Sequence, residues 1–148
     1  MNFLITLIAL LFINPLSTVE TTTPAQEVIE IVIESNDQMK FNMSEITVPA
    51  GATVKLTLKH VGQLPAAAMG HNWVLLAQDA EMAPFAQAAV QARDNDYIPA
   101  EGFIVHTDLI GGGEETSIEF EAPAAGEYTF ICSFPGHYAL MNGKFIVE

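Results

Sequence analysis

The chain has 148 residues, half of them apolar, and sets 18 acidic side chains against five Lys and Arg for a formal charge of −13. That length suits one domain with a real core. The charge repels phosphate backbones and anionic lipid heads, which disfavours nucleic-acid and membrane-surface binding. A single cysteine rules out an intrachain disulfide.

In chain order, Phe3 to Ile13 is an apolar run with Thr6 as its one hydroxyl, ended by Asn14-Pro15. It is too short to span a bilayer and suits the apolar region of an export signal, although no Lys or Arg precedes it. Residues 1–26 are therefore expected to be a signal peptide and flexible flank, cleaved somewhere between Ser17 and Gln26, with delivery to the periplasm. A retained N-terminal anchor is the alternative, and a lipoprotein is excluded because no cysteine follows the run. The Ser/Thr/Pro/Glu-rich stretch Ser17–Glu27 has the composition of a linker.

Residues 27–148 are expected to form the domain. Thr53–Lys59 alternates, with Val54, Leu56 and Leu58 on one side, as a half-buried strand does. Thr116–Glu121 repeats the pattern with Ile118 and Phe120 inward. Glu127–Cys132 aligns Tyr128, Phe130 and Cys132, which delivers the thiol from a strand end. Val28–Ile33, Ile46–Val48, His71–Leu76, Phe103–Thr107 and Lys144–Val147 are further β-prone runs. Turn residues separate them at Ser35-Asn36-Asp37, Pro49-Ala50-Gly51, Gly111-Gly112-Gly113 and Pro123–Gly126. Asp79–Tyr97 differs: Pro84 suits a first helical turn and Phe85–Ala92 consists mostly of strong helix formers. About eight strands with one short inserted helix predict an all-β sandwich.

Cys132-Ser-Phe-Pro-Gly-His137-Tyr-Ala-Leu-Met141 puts a thiolate, an imidazole and a thioether in one loop. Two His and a Cys in a plane, with a long axial Met, make the electron-transfer copper site. The loop lacks the second in-plane imidazole, and His71 in Met69-Gly70-His71-Asn72-Trp73 is the candidate. Without a metal, the same residues read as a buried Cys, a turn at Pro135-Gly136 and a core Met. A site with every position taken by protein leaves none open for substrate, which argues against an enzyme.

The pairing of Met-Gly-His-Asn-Trp with Cys-x-Phe-Pro-Gly-His-x-Ala-Leu-Met resembles the azurins, blue copper proteins of the cupredoxin superfamily. Ser35–Asn42, His106–Gly111 and Asp94-x-Asp96-Tyr97 extend the resemblance over roughly Val28 to Val147. It implies a Greek-key sandwich or barrel holding one type 1 copper that carries single electrons. His71, Cys132 and His137 would be the in-plane ligands, Met141 the axial one, and the Gly70 carbonyl a weak ligand on the opposite side. Asn72 would tie the two ligand loops together, and the Phe134 backbone N–H would donate to the Cys132 sulfur. Asn72 also reads as a turn residue, and Phe134 as plain core packing.

The resemblance further implies that the His137 ring edge emerges through an apolar patch, for which Met69, Pro135, Ala139 and Leu140 are candidates, with Ala66–Ala68 nearby. Partners would be redox proteins such as c-type cytochromes or copper or haem oxidoreductases, met by a monomer. His60 reads as a structural histidine, although the azurins have one beside the site that titrates with redox state. His106 is expected to be exposed without a role, and Trp73 to be core. The chain departs from the azurin pattern in lacking a disulfide near its N-terminus, in its acidity, and in Tyr138 where a smaller residue is usual. The competing functions are a copper carrier with this fold and a two-site copper enzyme. The enzyme would need more histidines than His60 and His106 supply.

Overall fold

The computed structural model describes residues 28–148; the signal peptide and flank expected at 1–26 lie outside the described residues. Among the described residues nine strands form two open sheets, where about eight were expected, and neither closes into a barrel.

The first sheet has β1 (Val28–Asn36), β2 (Lys40–Phe41), β4 (Thr53–His60) and β7 (Glu115–Glu121), in the order β2-β1-β4-β7. β1 runs parallel to β4, with Ile33 beside Leu58, whereas β7 is antiparallel to β4, with Ile118 opposite Leu56. The second sheet is ordered β3-β9-β8-β5-β6, from β3 (Glu45–Val48), β5 (Val74–Leu76), β6 (Phe103–His106), β8 (Gly126–Ile131) and β9 (Asn142–Val147).

Alternation decides which side chains meet. Ile33, Val54, Leu56 and Leu58 from the first sheet pack on Ile46, Val48, Tyr128, Phe130, Phe145 and Val147 from the second. Trp73 fills the middle with no exposed surface, its ring 5.6 Å from Phe130 and 6.0 Å from Phe145. Tyr128 Oη donates back to the Ala124 carbonyl at 2.8 Å, fixing the corner into β8.

β5 does not alternate: Val74, Leu75 and Leu76 are all buried. Leu75 faces the main core. Val74 and Leu76 join Ile131, Ile98 and Phe85 in a second core, covered by the expected helix, α2 (Met82–Gln91). A strand buried on both faces reads as a continuous apolar run. A one-turn helix, α1 (Ala66–Met69), was not expected from sequence.

Candidate metal centre

Strand pairing brings the donor residues together. Val74 of β5 pairs with Ile131 of β8, and the same approach continues past both strand ends to bring Asn72 against Ser133. Ile131 pairs with Asn142 of β9, and one step on the Cys132 N–H donates to the Met141 carbonyl at 2.9 Å. Cys132 and Met141 thus close the base of a loop with His137 near its tip. Phe134, Pro135, Gly136 and His137 make the turn: the His137 N–H reaches the Phe134 carbonyl at 3.0 Å. Gly136 sits at φ 84, ψ −13. That is a type II turn, for which Pro and then Gly are the favoured central pair.

The three donor atoms of His71, Cys132 and His137 lie within 4.8 Å of one another, and all three residues are buried. Cys132 Sγ is 3.8 Å from His71 Nδ1, 3.6 Å from His137 Nδ1 and 3.9 Å from the Gly70 carbonyl oxygen. His71 Nε2 is 2.9 Å from the Asn36 carbonyl, which can only accept, so the ring proton sits on Nε2 and the Nδ1 lone pair faces the sulfur. His137 is 3% exposed, and its Nε2 finds no hydrogen-bond partner among the described residues.

Burial favours the uncharged form of each group. Desolvation lowers His71 to about 4 against the opposing effect of the Asn36 carbonyl, and lowers His137 to about 4 with help from His60. Desolvation pushes the Cys132 thiol up to about 12, while the backbone N–H groups of Asn72 and Phe134 pull the other way. The metal-free centre at neutral pH therefore holds two imidazole lone pairs and one thiol proton. Those donors fit copper, which takes neutral imidazole and displaces a thiol proton.

Gly70 is needed for space. A Cβ there would lie 2.6 Å from the Ala66 carbonyl oxygen and 3.0 Å from both Leu109 and Phe134. Met141 is fully buried in the main core at the foot of the loop. Asn72 holds Ser133 through two bonds: its Oδ1 accepts from Ser133 N–H at 2.8 Å and its Nδ2 donates to Ser133 Oγ at 2.9 Å. His60 is buried flat on His71, with ring centroids 4.4 Å apart at 28°. Its Nδ1 accepts from Gly62 N–H, so Nε2–H donates to the Met69 carbonyl at 3.0 Å and steadies the peptide leading into Gly70.

A family model of copper binding proteins, the plastocyanin/azurin family, matches residues 27–148. The chain belongs to the plastocyanin/azurin family. Its relatives in that family include the azurin of Alcaligenes faecalis, 42% identical over 120 residues that cover 77% of this chain and 94% of that one. Outer membrane protein H.8 of Neisseria meningitidis serogroup B is 47% identical over 117 residues, 76% of this chain. The match spans only 63% of that relative's length. Among solved structures, auracyanin A of Chloroflexus aurantiacus, titled a "blue" copper protein, superposes with TM-score 0.75 at 36% identity, covering 82% of this chain and all of that one. Reduced auracyanin of Roseiflexus castenholzii gives 0.73 at 32%, covering 80% and 96%. Membership of a copper-binding family, together with the His71–Cys132–His137 cluster, makes the cofactor a single copper.

The candidate patch residues divide by exposure. Leu140 is 65% exposed, Pro135 and Ala139 are exposed, and Met69 is partly covered. His106 is corrected from exposed to half-buried: its ring stacks edge-on to Phe103 and its Nδ1 meets the Thr107 carbonyl at 3.0 Å. Sequence reasoning missed Ser133, the Asn36 carbonyl that orients His71, and the Asp96–Tyr97 backbone. Ser133 stood in the motif as a variable position, and a backbone carbonyl carries no residue signature.

Proposed function

We propose that the chain is a type 1 copper electron carrier, with His71, Cys132 and His137 as in-plane ligands, Met141 as axial ligand and the Gly70 carbonyl opposite. The observation that carries the reading is the convergence of one buried sulfur and two oriented imidazole nitrogens. Copper bound there supplies a one-electron couple. The chain's own residues supply rigidity, a dry shell and a route to the surface. Asn72 couples the two ligand loops, the Phe134 N–H steadies the Cys132 sulfur, and Pro135 contributes no competing donor.

His137 is the electron port in this reading: Pro135, Ala139 and Leu140, its neighbours in sequence, are exposed, and Met69, two residues before His71, is partly covered. No Asp, Glu, Lys or Arg occurs in residues 61–78 or 128–143 of a chain carrying −13 overall. Uncharged apolar residues flanking His137 in sequence suit the small, brief encounters of redox partners, such as c-type cytochromes or copper or haem oxidoreductases, with a monomer. Donors that fill the coordination positions favour a carrier of electrons over an enzyme. Resemblance to an outer membrane protein and to azurins supports export, with the periplasm as destination.

The test is optical. Copper-loaded, oxidised protein should be intensely blue through Cys132-to-copper charge transfer and should cycle reversibly without consuming a substrate. Colour that survives Cys132→Ser, or a colourless Cu(II) complex of the parent, would overturn the assignment.

A further inference from the structure

Asn72 and Ser133 bind each other and both also reach a third piece of backbone. Asn72 Nδ2 donates to the Asp96 carbonyl at 3.2 Å, and Ser133 Oγ–H to the Tyr97 carbonyl at 2.7 Å. The hydroxyl has one proton, so its 3.3 Å approach to Asn72 Oδ1 is a secondary contact. The two acceptors are consecutive residues, and both have left-handed backbone: Asp96 at φ 50 and Tyr97 at φ 61. Asparagine and aspartate tolerate that region; a bulky tyrosine is seldom found there unless its surroundings hold it.

The surroundings do hold it. The segment follows α2 through a short 3-10 turn at Arg93–Asn95. Tyr97 N–H caps back to the Ala92 carbonyl at 3.0 Å, and Asn95 Nδ2 closes onto the Ile98 carbonyl at 2.8 Å. Ile98 is buried beneath α2 in the second core, together with Ile131, the residue before Cys132. The Tyr97 ring stands edge-on to Phe134, two residues past Cys132, at 5.1 Å and 68°. Asn72 and Ser133 lie beyond the ends of β5 and β8, where no ladder bond continues on that side of Cys132.

We propose that the left-handed Asp96–Tyr97 pair is a positioning segment for the metal centre. It turns two carbonyls onto Asn72 and Ser133 and so ties the loops of His71 and Cys132 to the end of the α2 segment. The packing of α2 thereby sets where the Cys132 sulfur stands. This rests on the copper reading, and the experiment separates the two.

Ser133→Ala removes both the donor to Tyr97 and the acceptor of Asn72 Nδ2 while keeping the Ser133 N–H bond to Asn72 Oδ1; Ser133→Thr restores the hydroxyl. Tyr97→Val and Tyr97→Asn both delete the ring, yet only asparagine accepts the left-handed backbone. Each copper-loaded protein is measured by its thiolate charge-transfer band, its copper EPR hyperfine splitting and its copper loss to a chelator. The metal-free forms are compared by thermal unfolding. Ser133→Ala and Tyr97→Val should shift band and splitting and lose copper roughly tenfold faster. Ser133→Thr and Tyr97→Asn should match the parent. If Ser133→Ala and Tyr97→Val merely melt earlier while band, splitting and copper loss stay at parent values, the segment is only structural and the inference falls. Should Ser133→Ala fail to fold, the Tyr97 pair decides alone. A parent without a thiolate band would instead overturn the copper reading.

Discussion

His71 Nδ1 stands 3.8 Å from Cys132 Sγ although 61 positions separate the two residues, and the Asn36 carbonyl fixes the proton on the far side of the ring. Each nitrogen of the ring is thus committed before any metal arrives: one donates to the fold and one presents its lone pair.

Copper uptake should therefore release one proton per ion at neutral pH. His71 and His137, lowered to about 4, are already uncharged, whereas the Cys132 thiol, raised to about 12, is still protonated. Calorimetric titration of metal-free protein with Cu(II), in buffers of different ionisation enthalpy, counts that proton. A count of zero would contradict the buried neutral thiol.

The metal-free protein should lose stability toward both acid and alkali. Between about 4 and 6.5 the unfolded chain binds protons at His71 and His137 that the fold refuses, so stability falls as pH drops through that window. Between 9.0 and about 12 the unfolded chain releases the Cys132 proton that the fold retains, so stability falls as pH rises. Denaturant midpoints across pH, with His71→Gln flattening the acid limb, provide the check.

Gly70→Ala should destabilise the fold by about 1–3 kcal/mol through overpacking. Gly70 has ordinary dihedrals, φ −66 and ψ 140, so the cost comes from collision with the Ala66 carbonyl and with Leu109 and Phe134 rather than from backbone strain. The displaced carbonyl should also shift the charge-transfer band. Urea titration and an absorption spectrum measure the two effects separately.

Trp73→Ala should cost about 3–5 kcal/mol, because no solvent reaches the ring and three phenylalanine rings rest on it. Trp73→Phe should cost clearly less. The indole Nε1–H is buried with no hydrogen-bond partner among the described residues, and phenylalanine removes that penalty along with the bulk. Chemical denaturation of both variants ranks them.

Electron exchange with a cationic redox reagent should slow as salt is added, and exchange with an anionic one should quicken. A charge of −13 attracts the first and repels the second over a distance that ions screen. Stopped-flow rates at low and high ionic strength test the sign.

The alternation of Val54, Leu56 and Leu58, and of Tyr128, Phe130 and Cys132, was legible because a strand's side chains alternate faces whatever lies opposite. Cys132, His137 and Met141 stood out as candidate donors because copper demands those atom types and a single loop contains all three. β2 was not legible, since two residues carry no period. α1 was hidden in Ala66–Met69, where one turn of helix has no amphipathic face to display. His71–Leu76 was expected as one strand, but β5 begins at Val74: His71 instead bridges Ile110, and the Trp73 N–H goes to Thr107 Oγ1 at 2.9 Å.

By itself, then, the order of residues determined the candidate donor side chains, the strands that lead up to Cys132 and away from Met141, and the spacing of the loop between them, all properties of local chemistry. Only the tertiary structure decided that His71 meets Cys132, that Asn36 orients the imidazole, and that the Asp96 and Tyr97 carbonyls accept from Asn72 and Ser133. Those contacts depend on which strands lie side by side and on backbone carbonyls, which every residue possesses and which no side-chain pattern can announce.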